Sequence, residues 1–102
     1  MATVIESTDD EVEEFRLERL AERAREHNEA AESLAERFKP GSMGFHEALH
    51  TTSVMLDSVD RHIADHPAVL ARPELYRLAH RAQEALFNLY QELGELSSGG
   101  DD

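Results

Sequence analysis

The chain contains no cysteine and no tryptophan, and only 3 prolines and 5 glycines stand among its 102 residues. Without cysteine, disulfides, thiolate metal ligands and thiol nucleophiles are excluded, and nothing demands an oxidising compartment. No apolar run approaches the ~18 residues of a membrane span, and the acidic N-terminal segment lacks the basic start of a signal peptide. We therefore expect a cytoplasmic protein that does not bind membranes.

Basic residues are also scarce, since 10 Lys and Arg oppose 22 Asp and Glu and leave a net charge of -12 at pH 7. Such a field repels the phosphates of nucleic acids, so direct nucleic-acid binding is not expected. In a small protein a surplus of one charge usually covers solvated helix faces. The sharper interpretation is that the acidic surface attracts a basic surface on a partner protein.

Three stretches carry apolar residues at helical spacing, and none alternates as a strand does. The first opens with Thr8 and Glu11 in the spacing of a capping box and is predicted to run to about residue 38. The second is predicted over 45–65, and the third over 73–96. Prolines between the last two remove backbone donors and suit the first turn of a helix.

Short connections favour antiparallel neighbours, so the sequence predicts an all-α, three-helix, up-down-up antiparallel bundle. A chain of this length supports one core. The predicted organisation is a flexible N-terminus over 1–7, a single helical-bundle domain over 8–96 and a flexible acidic tail over 97–102.

The third helix has more apolar circumference than two partner helices can cover. Its leucines at a/d spacing suit the bundle core, and a second stripe runs beside them. The residues of this second stripe are Tyr76, Gln83, Phe87 and Tyr90. We expect this stripe to form an interface, because aromatic residues are favoured anchors. A homodimer, which would join two bundles into a larger one, is the simplest assembly. The alternative is that the tyrosines lie at the rim with wet hydroxyls.

Residues 46–50 read HEALH, the H-E-x-x-H pattern in which two histidines hold zinc and the glutamate polarises a bound water. His46, Glu47 and His50 would fill these roles. A zinc metalloprotease is nevertheless not favoured, because Ser53 and Leu56 stand where the extended pattern needs glycine and histidine. A five-residue motif in a chain rich in histidine and glutamate also arises readily by chance.

Glu47 and His50 alone also resemble the E-x-x-H half-site of ferritin-like di-iron bundles, in which other helices add further glutamates. A homodimer would supply a second copy of the half-site by symmetry. The resemblance implies iron at a dimer interface as a second version of the metal hypothesis.

Two further histidines are candidates for burial. His27 interrupts the alanine and leucine stripe of the first helix, and His80 is within reach of it on the third. A buried histidine normally finds one hydrogen-bond partner and stays neutral, and a pH switch is the alternative.

The sequence therefore predicts a non-enzymatic acidic helical interaction module, such as an adaptor, an inhibitor or a regulatory subunit. It would act as a homodimer and bind a protein partner through a basic surface of that partner. The alternative from another class is a small metal-binding helical protein that holds zinc or iron at the HEALH segment.

Overall fold

The computed structural model describes residues 8–99, and these residues form helices and no strand. The five α-helices are α1 (Asp9–Glu26), α2 (Ala31–Arg37), α3 (Met43–Val59), α4 (Pro67–Leu70) and α5 (Pro73–Gly99). A π-helical turn over Asp60–Ala64, here called the π turn, continues α3. The all-α prediction is confirmed, with five helices in place of three. No helix within 8–99 is both long enough and apolar enough to cross a membrane.

The chain divides into two compact units, Met1–Arg37 and Phe38–Asp102. The predicted flexible segment 1–7 lies outside the described residues, as do positions 100–102 of the predicted tail. Residues 97–99 of that tail belong to α5, which extends three residues beyond its predicted end. The single domain over 8–96 stays a prediction.

The first unit opens with the predicted capping box. The Thr8 amide donates to Glu11 Oε1 at 2.9 Å, and the Glu11 amide donates to Thr8 Oγ1 at 3.1 Å. Both donors belong to the helix start, which has no intrahelical carbonyl to offer them. The start of the first helix is therefore confirmed.

The predicted continuous helix to residue 38 is wrong, because α1 ends at Glu26. Asn28 has a positive φ of 56°, a left-handed conformation that asparagine tolerates better than most residues. The Asn28 amide donates to the Arg25 carbonyl at 3.1 Å, and the Glu29 amide donates to the Ala24 carbonyl at 2.9 Å. This pair of bonds is a Schellman motif, which satisfies helix-end carbonyls and turns the chain.

Beyond the turn, α2 packs against α1, and Ala24 and Leu34 are buried between them. Glu29 stands just before α2, and its carboxylate accepts from Arg37 Nη2 at 2.6 Å and from Ser33 Oγ at 3.1 Å. The hydrogen bond from Arg37 is the main cause that lowers the pKa of Glu29. A single carboxylate thus connects the two ends of α2.

In the second unit, α3 and α5 pack side by side. Ser42 caps α3 by accepting from the Phe45 amide at 3.1 Å. Ser97, near the end of α5, lines a surface depression with Ser42, so the start of α3 lies beside the end of α5. The two helices are therefore antiparallel, and α3, the π turn and α5 are called the hairpin below.

The contact between α3 and α5 follows one stripe of each helix. The least exposed side chains of α5 recur every three or four residues, as expected for one helix face. They include Ala79, Gln83, Leu86, Tyr90 and Leu93. The matching side chains of α3 are Phe45, Leu49, Thr52, Leu56 and Val59. Among them only Ala79 and Thr52 are classed as buried, at 9% exposure each, so this contact is thin.

The π turn changes the register of the second predicted helix. Its Asp65 amide donates to the Asp60 carbonyl at 3.2 Å, one residue further back than in an α-helix. The inward position therefore passes from Ile63 to Ala64, which are 50% and 4% exposed. In the single α-helix predicted over 45–65, α-helical spacing from Val59 would place Ile63 on the apolar face, and the π turn makes this placement wrong.

We predict that Asn28→Val destabilises the end of α1, whereas Asn28→Gly leaves it unchanged or slightly more stable. A β-branched residue in the left-handed region costs about 1–2 kcal/mol, and glycine carries no such cost. Hydrogen exchange of the α1 amides should be roughly 5 to 30 times faster in the valine variant. Equal exchange in the two variants would show that the left-handed turn is not required.

We also predict that Arg37→Gln raises the pKa of Glu29 toward its ordinary value, as followed by an NMR titration of the carboxyl carbon. Because the folded-state pKa is lowered, the ion pair stabilises α2 above the ordinary pKa. This contribution is lost as the pH falls through the lowered value. Arg25→Gln is the control, and the same change in both variants would count against the assigned contact.

Candidate interaction surfaces of the hairpin

One face of the hairpin exposes large apolar side chains in a row. Met55, Leu75, Leu78, Leu89 and Leu96 are 49%, 40%, 51%, 48% and 50% exposed, and together they are called the leucine face. At about 100° per residue the four leucines fall within roughly 60° of the α5 circumference. The stripe that suited the bundle core from sequence thus lies about half in solvent.

Small and apolar residues fill the positions between these leucines. Ala82, Leu86 and Leu93 continue the same side of α5, and Ala48 continues the side of α3 that carries Met55. Alanines at such positions permit a close approach of another helix. The leucine face is therefore a surface without charge along its centre, in a chain of net charge -12.

A groove runs along the opposite side of the hairpin, between α5 and the segment formed by α3 and the π turn. Its volume is about 570 Å³. Its lining combines apolar side chains, carboxylates and neutral polar groups, and it is called the acidic groove. The lining residues are Ser53, Leu56, Asp57, Asp60, His80, Gln83, Glu84, Phe87 and Asn88.

One polar contact connects the two walls of the acidic groove, and two further contacts lie within α5. Gln83 Nε2 donates to Asp60 Oδ1 at 2.8 Å and so connects α5 to the first residue of the π turn. His80 Nδ1 lies 3.8 Å from Glu84 Oε1, and the His80 ring is 6.0 Å from the Tyr76 ring. The Gln83–Asp60 hydrogen bond spans both walls, so it fixes their separation at one point.

Two of the four predicted interface residues, Gln83 and Phe87, line the acidic groove, and the four differ in exposure. Gln83 and Tyr90 are half-buried along the α3–α5 contact, whereas Tyr76 and Phe87 are 37% and 48% exposed on the groove side. The sequence pattern could not separate the two pairs, because all four lie on one side of α5 at helical spacing. Their role at an interface stays a prediction.

The three predicted metal ligands, His46, Glu47 and His50, are exposed and line a surface depression with Thr51. Between residues 8 and 99 no group of three or more His, Asp and Glu side chains is placed to hold a metal ion. The HEALH segment therefore gains no further ligand from the described part of the chain.

The prediction that His27 and His80 are buried is wrong, because both are exposed. His27 is the C-cap of α1, at the turn where the sequence pattern continued the helix. His80 stands at the rim of the acidic groove, where its side chain keeps 51% of its exposure.

Comparison with known protein families, with curated proteins and with solved structures finds no match to this chain.

We predict that protein purified without a histidine tag and dialysed against zinc retains only substoichiometric metal. Two histidines one helical turn apart give a weak site when no third ligand is in place. Elemental analysis should give the same content for the wild-type chain and for His50→Ala. One zinc or iron per chain that disappears in His50→Ala would restore the metal hypothesis.

Proposed function

We propose that the protein is a non-enzymatic, acidic helical interaction module that acts as a homodimer and binds a basic surface of a protein partner. Its role would be that of an adaptor, an inhibitor or a regulatory subunit in the cytoplasm. The observation that carries the proposal is the leucine face, an uncharged apolar stripe about half exposed on a strongly acidic chain. No feature of residues 8–99 supports zinc or di-iron binding as the leucine face supports an interaction module.

Burial of the leucine face would stabilise the hairpin. Complete burial of a large apolar side chain contributes about 1.5–3 kcal/mol. Covering the five half-exposed side chains of one copy would therefore stabilise it by roughly 5 kcal/mol. Two copies would gain about 10 kcal/mol, which is comparable with the ~4–15 kcal/mol cost of association. No large side chain in the described part of the chain is fully buried. The apolar burial gained in a dimer would therefore be large relative to the apolar burial within one hairpin.

A second copy fits the leucine face better than other occupants. Two antiparallel hairpins that meet through such stripes form a four-helix arrangement, and the spacing of three and four residues suits that packing. A two-fold axis across the stripe pairs leucine with leucine. The face is also the part of the hairpin where two acidic chains can approach without opposing charges.

Partner binding is supported by the charge and by the remaining surface of the hairpin. With the leucine face covered, Tyr76, Phe87 and the carboxylates of the acidic groove stay accessible on the other side. Attraction between this side and a basic protein would weaken with salt, because exposed charges are screened. The proposal requires the hairpin alone. It differs from the sequence prediction, in which the leucine stripe of the third helix lies in a three-helix core and the second copy docks on Tyr76, Gln83, Phe87 and Tyr90.

We predict that Leu78→Glu and Leu89→Glu each convert the dimer to a monomer. A charge placed in the centre of an apolar interface must be buried without a partner, and that cost exceeds the affinity. Sedimentation velocity at micromolar concentration should give twice the 11.5 kDa chain mass for the wild-type protein. It should give the single-chain mass for both variants.

Two controls assign the dimer to this face. Leu70→Glu changes an equally exposed leucine, at 50%, on α4 outside the leucine face and should leave the dimer intact. Phe87→Glu places the charge on the groove side and should do the same. If Phe87→Glu dissociated the dimer and Leu89→Glu did not, the second copy would belong on the aromatic side instead.

A further inference from the structure

We infer that the acidic groove is the docking site for an arginine-bearing segment of the basic partner, an inference that rests on the proposed function. The groove is lined by an exposed aromatic ring, Phe87, and by carboxylates that belong to both walls. Its volume of about 570 Å³ is sufficient for side chains of a docked segment, within the ~300–1,000 Å³ range of ligand pockets.

The apolar part of the groove comes from Leu56 and Phe87. Leu56 is half-buried on α3, and Phe87 is 48% exposed on α5. An exposed ring beside a half-buried leucine offers a surface for the aliphatic stem of a long side chain. A surface that bound its partner through charge alone would not require an exposed aromatic ring.

The charged part of the groove comes from Asp57, Asp60 and Glu84, of which Asp57 also lies 3.5 Å from Arg61 Nη1 in an exposed ion pair. Asp57 and Asp60 belong to the wall formed by α3 and the π turn, and Glu84 belongs to α5. Arginine suits this combination better than lysine, because its planar guanidinium stacks on a ring and pairs with carboxylates through two parallel hydrogen bonds. The occupant is thus a segment that presents arginine next to an apolar side chain.

Contacts within the chain orient the Asp60 side chain in the absence of a partner. Asp60 accepts from Gln83 at 2.8 Å and begins the π turn. π turns are frequent at functional sites, where they aim particular side chains. A carboxylate that is already oriented loses less conformational entropy when it binds a cation.

Other occupants fit the groove less well. A second copy would bring its own net charge of -12 against the three carboxylates, and nucleic-acid phosphate would be repelled in the same way. A divalent cation would need several converging ligands, and residues 8–99 contain no such group.

The test uses the full-length chain and a fluorescently labelled, alanine-based helical peptide that carries leucine and arginine on one face. A matched peptide has glutamate in place of arginine, and another has lysine. Fluorescence anisotropy measures the affinity at low and high salt. We expect the arginine peptide to bind most tightly, the lysine peptide more weakly and the glutamate peptide not at all.

Variants locate the site. Phe87→Ala should weaken binding of the arginine peptide about tenfold, as expected for an anchor residue. Phe15→Ala, which removes a ring that is 54% exposed on α1, should not. Glu84→Lys should weaken binding strongly, whereas Glu92→Lys makes the same change of net charge on the outer side of α5 and should have a small effect. Circular dichroism verifies that each variant is folded.

Three results would overturn the inference. These are no binding of the arginine peptide, equal binding of the glutamate peptide, and equal losses for Glu84→Lys and Glu92→Lys. Sedimentation velocity of the same samples tests the homodimer separately, so failure of the groove inference can be distinguished from failure of the proposed function. A dimer that does not bind the peptide refutes the groove assignment alone. A monomer that binds at the groove refutes the homodimer alone.

Discussion

The hairpin depends on the contact between α3 and α5, which is made largely of small or half-buried side chains. Ala79 and Thr52 are its buried residues, and Ala64 takes the same role in the π turn. Small residues bring two helices close together but remove little apolar surface from water. Several large apolar side chains of the hairpin, among them Met55, Leu78 and Leu89, are therefore left about half exposed on its faces, where a second copy is proposed to cover them.

The two faces of the hairpin differ in charge and are proposed to bind different occupants. The leucine face has no charge along its centre, so it can pair with an identical surface despite the acidity of the chain. The acidic groove has carboxylates around an exposed Phe87 and suits a partner of opposite charge. Because the faces lie on opposite sides, the proposed self-association and the proposed partner binding would not compete, and a dimer would present two grooves.

Sequence reasoning predicted the helical class, the capping box at Thr8 and the start of α5 at Pro73, since local hydrogen bonding and proline geometry decide these features. It missed the break at Asn28, where one left-handed residue ends α1. It also missed the π turn, which moves Ile63 outward without any marker in the periodicity. Which side of α5 faces α3 was not predictable either, because apolar residues cover both flanks of that helix.

The central claim is that a second copy covers the leucine face and stabilises the fold. The most direct test is the thermal unfolding midpoint of the wild-type chain, measured by circular dichroism over a hundredfold range of protein concentration. Folding that is coupled to dimer formation predicts that the midpoint rises with concentration. A midpoint that stays constant over the whole range, for a protein that remains a folded monomer, would contradict the account.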